Sequence, residues 1–201
     1  MGFLEEKIKA RDEAILKCRE VLTNSYFVMD TETTDLADRG GQVIQIGILY
    51  SNGDKFISFI KPTKEITKEA NKIHHITDFM LNDAPCASMI LDKIPNNSNA
   101  IMYNWIFDFK AINNSLIEEG KWMNKSRLGN IYDAMLIYSS FVGVWHNYFN
   151  DYKWFKLVQA YHECTGDKNI PGHDALGDAI MTESIIKYMA SQKTSKELDK
   201  I

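Results

Sequence analysis

Residues 3 to 22 set Leu4, Ile8, Ile15, Cys18 and Leu22 on one stripe at helical spacing, interrupted by Arg11, and Asn24 and Ser25 punctuate the predicted helix end. Its near-heptad rhythm leaves two uses open, packing on the domain or pairing two copies. From Tyr26 the period changes. The run Tyr26 to Glu32 predicts a strand, Gln42 to Tyr50 a second rich in β-branched residues, and Lys55 to Ile60 a third that alternates polar with apolar. Ser51-Asn52-Gly53-Asp54 carries hairpin chemistry between the last two, so the three form an antiparallel meander that Pro62 ends.

Helical patterns follow around Glu65 to Lys72 and Pro85 to Lys93, with a turn at HHIT between them. Ala100 to Tyr103 reads as a buried strand, Trp105 to Glu119 as a helix stopped by Gly120, Ile131 and Tyr132 as a fifth strand, and Asp133 to Val142 as a helix. Trp154 to Cys164 and Asp174 to Ala190 predict two more helices, and the polar stretch QKTSKELDKI is expected to fray. Strands followed by alternating helices and strands give an α/β fold, a mixed sheet with helices on both faces. The expected organisation is a packed N-terminal helix over 1–24, one domain over 25–190 and a polar tail over 191–201.

Composition narrows the class. With 201 residues and 45% apolar content the chain can bury one sizeable core. Three dispersed cysteines, Cys18, Cys86 and Cys164, fit a reducing compartment rather than a disulfide framework or a zinc site. The charged N-terminus lacks the apolar core of a signal peptide or membrane span, so a cytoplasmic protein with no membrane partner is expected. A net charge of −4 argues against a broad basic surface, though four candidate site acids, Asp30, Glu32, Asp108 and Asp178, account for all of it, and the chain has only four arginines, Arg11, Arg19, Arg39 and Arg127. A polyanionic substrate would have to be gripped locally.

The candidate chemistry begins with Asp30 and Glu32. On a strand, a two-residue spacing turns both carboxylates to the same face. Such a pair is held together where a proton or cation lies between, and a divalent metal is the first hypothesis; an acidic solvated turn is the plain alternative. A two-metal site needs further carboxylates. Asp108 falls in the first turn of the helix after the Ala100 to Tyr103 strand, and Asp178 at the start of the last long helix. His173 and Asp178 would diverge by about 140° on a regular helix, so they share a site only if His173 precedes the first turn. Pro171-Gly172 favours that arrangement, and a loop histidine beside metals suits proton transfer.

In this order, DTETT, YNWIFD and HDALGD resemble the three motifs of the DEDDh 3′-to-5′ exonucleases, the group that includes the proofreading subunit of bacterial DNA polymerase III. ANKIHHIT is similar to a further element of that family, and the resemblance spans roughly residues 25 to 190. It implies a ribonuclease H-like fold. It also implies two Mg²⁺ or Mn²⁺ ions held by Asp30, Glu32, Asp108 and Asp178, with His173 as general base and nucleoside 5′-monophosphates as products. Thr33, Thr34 and Leu36 would hold the terminal nucleotide, with His74 and Asn104 as weaker candidates for the same pocket. Two departures stand out, Asp35 and His75, where the family usually has glycine.

The expected function is therefore a freestanding metal-dependent exonuclease acting on single-stranded DNA 3′ ends. The rivals are an exoribonuclease, a polymerase-associated proofreading subunit and a catalytically idle nucleic-acid binder. The short polar stretch after Ala190 speaks against a polymerase partner, and a monomer or a homodimer through the first helix is expected. Two surface patterns keep double readings. The aromatics of VGVWHNYFNDYKWF serve a core or stack on bases, and Lys61, Lys64, Lys68 and Lys72 make a solvated face or meet phosphates.

Overall fold

In the computed structural model, which describes residues 2–168 and 174–199, the meander predicted from the alternating pattern forms half of one sheet. Helix α1 (Phe3–Leu22) leads into strands β1 (Tyr26–Thr33), β2 (Val43–Tyr50) and β3 (Lys55–Phe59). Helices α2 (Lys68–His74) and α3 (Ala87–Ile90) precede β4 (Asn99–Met102), α4 (Trp105–Ile117), β5 (Ile131–Asp133) and α5 (Ala134–Val142). A small hairpin, β6 (Trp145–His146) and β7 (Asp151–Tyr152), then joins to α6 (Leu157–Thr165), α7 (Ala175–Ser191) and α8 (Ser195–Leu198). Five strands pair in the order β3-β2-β1-β4-β5. The β1–β2 and β2–β3 pairs are antiparallel, while β1–β4 and β4–β5 are parallel.

Alternation along β1 separates two cores. Tyr26 and Val28 face α1, α5, α6 and α7, with Ile185, Ile186 and Met189 of α7 fully buried beneath them. Phe27 and Met29 face the opposite layer, with Ala111, Ile112 and Leu116 of α4. The one-residue offset between the faces fixes where the acids go: Asp30 and Glu32 continue the α7 side, and Thr31 the α4 side.

The first helix packs on its own domain. Ala14, Ile15, Cys18 and Val21 are buried against α5 and α7, whereas Leu4 and Ile8 of the expected stripe stay exposed. The stretch expected to fray is instead ordered through Asp199. Thr194 and Glu197 form a capping box that starts α8, Arg19 donates to both oxygens of Glu197 at 2.8 and 3.0 Å, and Asp12 accepts from the amide and hydroxyl of Ser195. The helix expected from Trp154 begins three residues later, because residues 154–156 run as an extended strap whose Phe155 carbonyl accepts from the Tyr103 hydroxyl at 2.7 Å. The hairpin β6–β7 was not anticipated. Its strands are two residues long and show no period.

Helix α7 comes into direct backbone contact with the sheet at Gly47. This residue pairs with Asp30 across β1–β2, and a methyl group there would overlap the backbone of Ala175 and Leu176. Its missing side chain lets the α7 N-terminus rest directly on the strand. Replacing it, Gly47→Ala, is expected to lower stability by about 1–3 kcal/mol through overpacking. Urea unfolding checks this, and an unchanged midpoint would show that the contact relaxes freely.

Candidate active site

Glu32 ends the regular part of β1, where the register with β2 shifts between Glu32 and Thr33. The parallel strands β1, β4 and β5 point their C-terminal ends to the same edge, the place where open α/β sheets gather ligands. Helix α7 delivers Asp178 to that edge. Its first amide, Ala175, donates to the Gln45 side chain at 3.0 Å, and Asp174 caps the helix by accepting from Gly177 at 2.9 Å. Gln45 sits opposite Glu32 in the β1–β2 register, so one strand pair fixes both the acid and the helix start.

As a result Asp30, Glu32 and Asp178 each offer an oxygen within 4.8 Å of the others. Asp108 is not in that group. It is 2% exposed, on α4, and its Oδ1 accepts from the Thr31 hydroxyl at 2.8 Å. Its charge nonetheless reaches Asp30, where after burial itself it is the largest influence raising the carboxyl well above the ordinary range; Asp178, Glu32 and Asp174 add to it. Burial, then Asp178 and Asp174, push Glu32 up to about 7. Burial pushes Asp108 up to about 8 against the opposing hydrogen bond from Thr31.

Carboxylates gathered and buried in this way either retain protons or share a cation. An all-oxygen donor set suits hard divalent ions such as Mg²⁺ or Mn²⁺ rather than zinc-type sites rich in nitrogen and sulfur. The three clustered acids fit such an ion. His173, together with Pro171 and Gly172, lies outside the described residues.

A braced loop follows the acids. The Thr34 amide donates to Gln42 O at 2.8 Å, the Gln42 amide returns to the Thr34 hydroxyl at 3.0 Å, and Thr67 donates both amide and hydroxyl to Thr34 O. His74 supports the same loop from below. Its Nδ1 accepts from the Ile76 amide at 3.0 Å, which leaves Nε2–H to donate to Thr33 O at 3.2 Å. Burial lowers the pKa of this imidazole, keeping it in that neutral form. His74 is thus a buried prop for the loop, while Leu36 stands exposed on it and Asn104 starts α4 in the left-handed region at φ 70°.

Both departures from the family pattern have local explanations. Asp35 turns its carboxylate back to accept from the Leu36 amide at 2.7 Å, with Arg39 at 3.9 Å. His75 occupies the left-handed cap of α2 at φ 58°, a conformation that glycine adopts most easily and histidine tolerates. Of the four lysines, Lys61 and Lys64 donate to the carbonyls of Asn82 and Gly40.

Sequence reasoning passed over Thr31, Gln45, Gly47 and Asp133. The Asp133 side chain accepts from Leu136 at 3.1 Å and from Trp105 at 3.3 Å, joining the starts of α5 and α4 beside the acids. Thr31 was recoverable, lying on the α4 face between the paired acids. Gln45 and Gly47 act on a helix distant in sequence, Gln45 across 130 residues, which no local pattern discloses.

Known proteins resemble this chain in sequence and in fold. The family model RNase_T, described as "Exonuclease", matches residues 27–186. An exonuclease of Escherichia phage 186 is 31% identical over 186 residues, covering 87% of this chain and 92% of its own. The DNA polymerase III epsilon subunit of Rickettsia conorii is 28% identical over 186 residues, covering 86% of this chain and 77% of its own. Among solved structures, exonuclease X in complex with 5′ overhanging duplex DNA superposes with a TM-score of 0.59 at 18% identity, covering 87% of this chain and 98% of that one. Escherichia coli exonuclease I in complex with a dA16 oligonucleotide superposes with a TM-score of 0.67 at 15% identity, covering 88% of this chain and 42% of that one. The five-stranded mixed sheet is the ribonuclease H-like fold of these enzymes, and by the extent of the family match this chain belongs to the RNase_T exonuclease family.

Proposed function

We propose that this protein is a metal-dependent 3′-to-5′ exonuclease that shortens single-stranded DNA one nucleotide at a time and releases nucleoside 5′-monophosphates. The observation that carries the reading is the convergence of Asp30, Glu32 and Asp178 within 4.8 Å at the sheet edge, on a chain of an exonuclease family. DNA is favoured over RNA because the solved relatives were captured with DNA oligonucleotides or duplexes.

Asp30, Glu32 and Asp178 would hold the divalent ions, with Asp108 completing the set from its place beside Thr31. When bound, two such ions supply charge for the phosphate and the departing oxygen and acidify the attacking water. The remaining work falls to the chain. His173, placed by sequence just before the Asp174 cap, takes the proton from water as its oxygen bonds to phosphorus and the bond to the 3′ oxygen breaks. Thr33, Thr34 and Leu36 seat the terminal nucleotide. That loop is held by His74, Thr67 and Gln42, so it meets the substrate pre-arranged.

Replacement of a single acid, Asp30→Asn or Asp178→Asn, is expected to lower kcat on a 5′-labelled single-stranded DNA by on the order of 10³-fold, several kcal/mol of barrier. Matched RNA run in parallel tests the sugar preference. Trimming at the wild-type rate by the purified Asp30→Asn protein would overturn the assignment. For His173→Ala a loss of about 10²–10⁴-fold is expected, with the lower limb of the pH–rate profile flattened. A profile of unchanged shape would remove His173 from the reaction.

The acids also set a stability profile. Asp30, Glu32 and Asp108 bind protons more tightly folded than unfolded, where carboxyls titrate near about 4. The metal-free fold should therefore lose stability as pH rises from about 4 to about 8, and Mg²⁺ or Mn²⁺ should restore it increasingly toward pH 8. Urea midpoints with EDTA and with Mn²⁺ measure the difference; a gap that does not widen with pH would count against metal binding at these acids.

A further inference from the structure

The segment between α5 and α6 exposes aromatic rings that the fold does not use. Phe155 serves the core, yet Tyr148 is 86% exposed, Phe149 71% and Trp154 61%. Rings of this size facing water together are unusual on a surface and mark a place where something docks. They are also ordered among themselves. Tyr148 and Phe149 meet edge to face at 5.0 Å, Trp145 and Tyr152 at 5.6 Å, and His146 tilts over Phe149 at 4.8 Å. Around them lies a cleft of about 450 Å³ lined by His146, Phe149, Asp151, Tyr152, Lys153 and Trp154. Its size suits an organic ligand. The buried His146 Nδ1 has no hydrogen-bond partner among the described residues.

We propose that this cleft is a stacking platform for unpaired bases of the same single strand whose 3′ end enters the acidic site, an inference that rests on the exonuclease reading. Three observations choose this occupant. The chain carries 27 Asp and Glu against 23 Lys and Arg, so a hold on a flexible polyanion gains from ring faces that leave the phosphates in water. Lys153 and Asp151 both line the cleft, so their charges offset each other and ring faces make up most of what it offers. The platform is also tied to the chain leading to the site: Phe155, next to Trp154 of the cleft, accepts at O from the Tyr103 hydroxyl at 2.7 Å, and Tyr103 precedes Asn104, where the helix bearing Asp108 begins. Because every base has a π face, the contact is indifferent to sequence.

The test compares wild type, the double variant Tyr148→Ala/Phe149→Ala and the single variant Trp154→Leu. Each hydrolyses a dinucleotide and a single-stranded DNA of about 16 nucleotides, the upper site size for stacking grooves. Dinucleotide turnover should be unchanged, while KM on the long strand rises about tenfold in the double variant. Equal KM values on the long strand would overturn the platform and leave the exonuclease reading intact. Binding of a labelled strand in EDTA, read by anisotropy, separates the two ideas. Weakened binding by the ring variants, with no hydrolysis by wild type, would support the platform and sink the nuclease; equal binding by all three would sink the platform. Sedimentation velocity supplies the last check, since a wild-type dimer that the ring variants dissolve, with long-strand KM unaltered, would identify the cleft as an interface between copies and overturn the proposal.

Discussion

Repulsion between carboxylates is the constraint around which this protein is arranged. Asp30, Glu32 and Asp178 would separate in solution, and the fold spends a strand register, a bare glycine and a helix cap on preventing it. The sheet keeps Asp30 and Glu32 on one face, Gly47 admits α7 to within backbone contact, and Gln45 with Asp174 fixes the first turn of that helix. The N-terminal end of a helix is the favourable place for negative charge, so α7 offsets part of the repulsion that its own Asp178 creates.

The two sides of the sheet divide the labour. The α7 side gathers the three clustered carboxylates, and the α4 side keeps Asp108 buried with a hydroxyl for company. Thr31 is the joint between them, its hydroxyl bonded on the α4 side to a carboxylate whose charge is felt by Asp30 on the other face. On the far side of the edge, the loop from Thr33 to Gly41 is tied at both strands of its base and propped by His74, so its geometry comes from packing set well before any ligand arrives.

Much of this was legible in the chain. The alternation of Tyr26 to Glu32 gave strand and acid pairing together, because both follow from the same period of two. The last long helix was visible for the same kind of reason, Asp174 capping an apolar run. What escaped depends on distant partners. Gln45 and Gly47 read as ordinary strand residues until α7 is laid over them, and Asp133 reads only as the first residue of one helix although its carboxylate serves two. The end of the chain is a different lesson. Thr194 and Glu197 spell a capping box that composition alone, polar and lysine-rich, concealed, and Arg19 and Asp12 of α1 give that short helix a surface to hold.

Asp133 has a further effect on how far the acidic cluster extends. It stands half-buried next to the charged edge, and its pKa is raised, chiefly by that partial burial. Yet each of its oxygens is already engaged by an amide, Leu136 on one and Trp105 on the other. Recruiting it to a cation would unfasten the first turns of two helices at once. The Asp133 carboxylate is therefore committed to the scaffold: it presses on its neighbour Asp108 by charge alone, while its oxygens stay with the two helix starts.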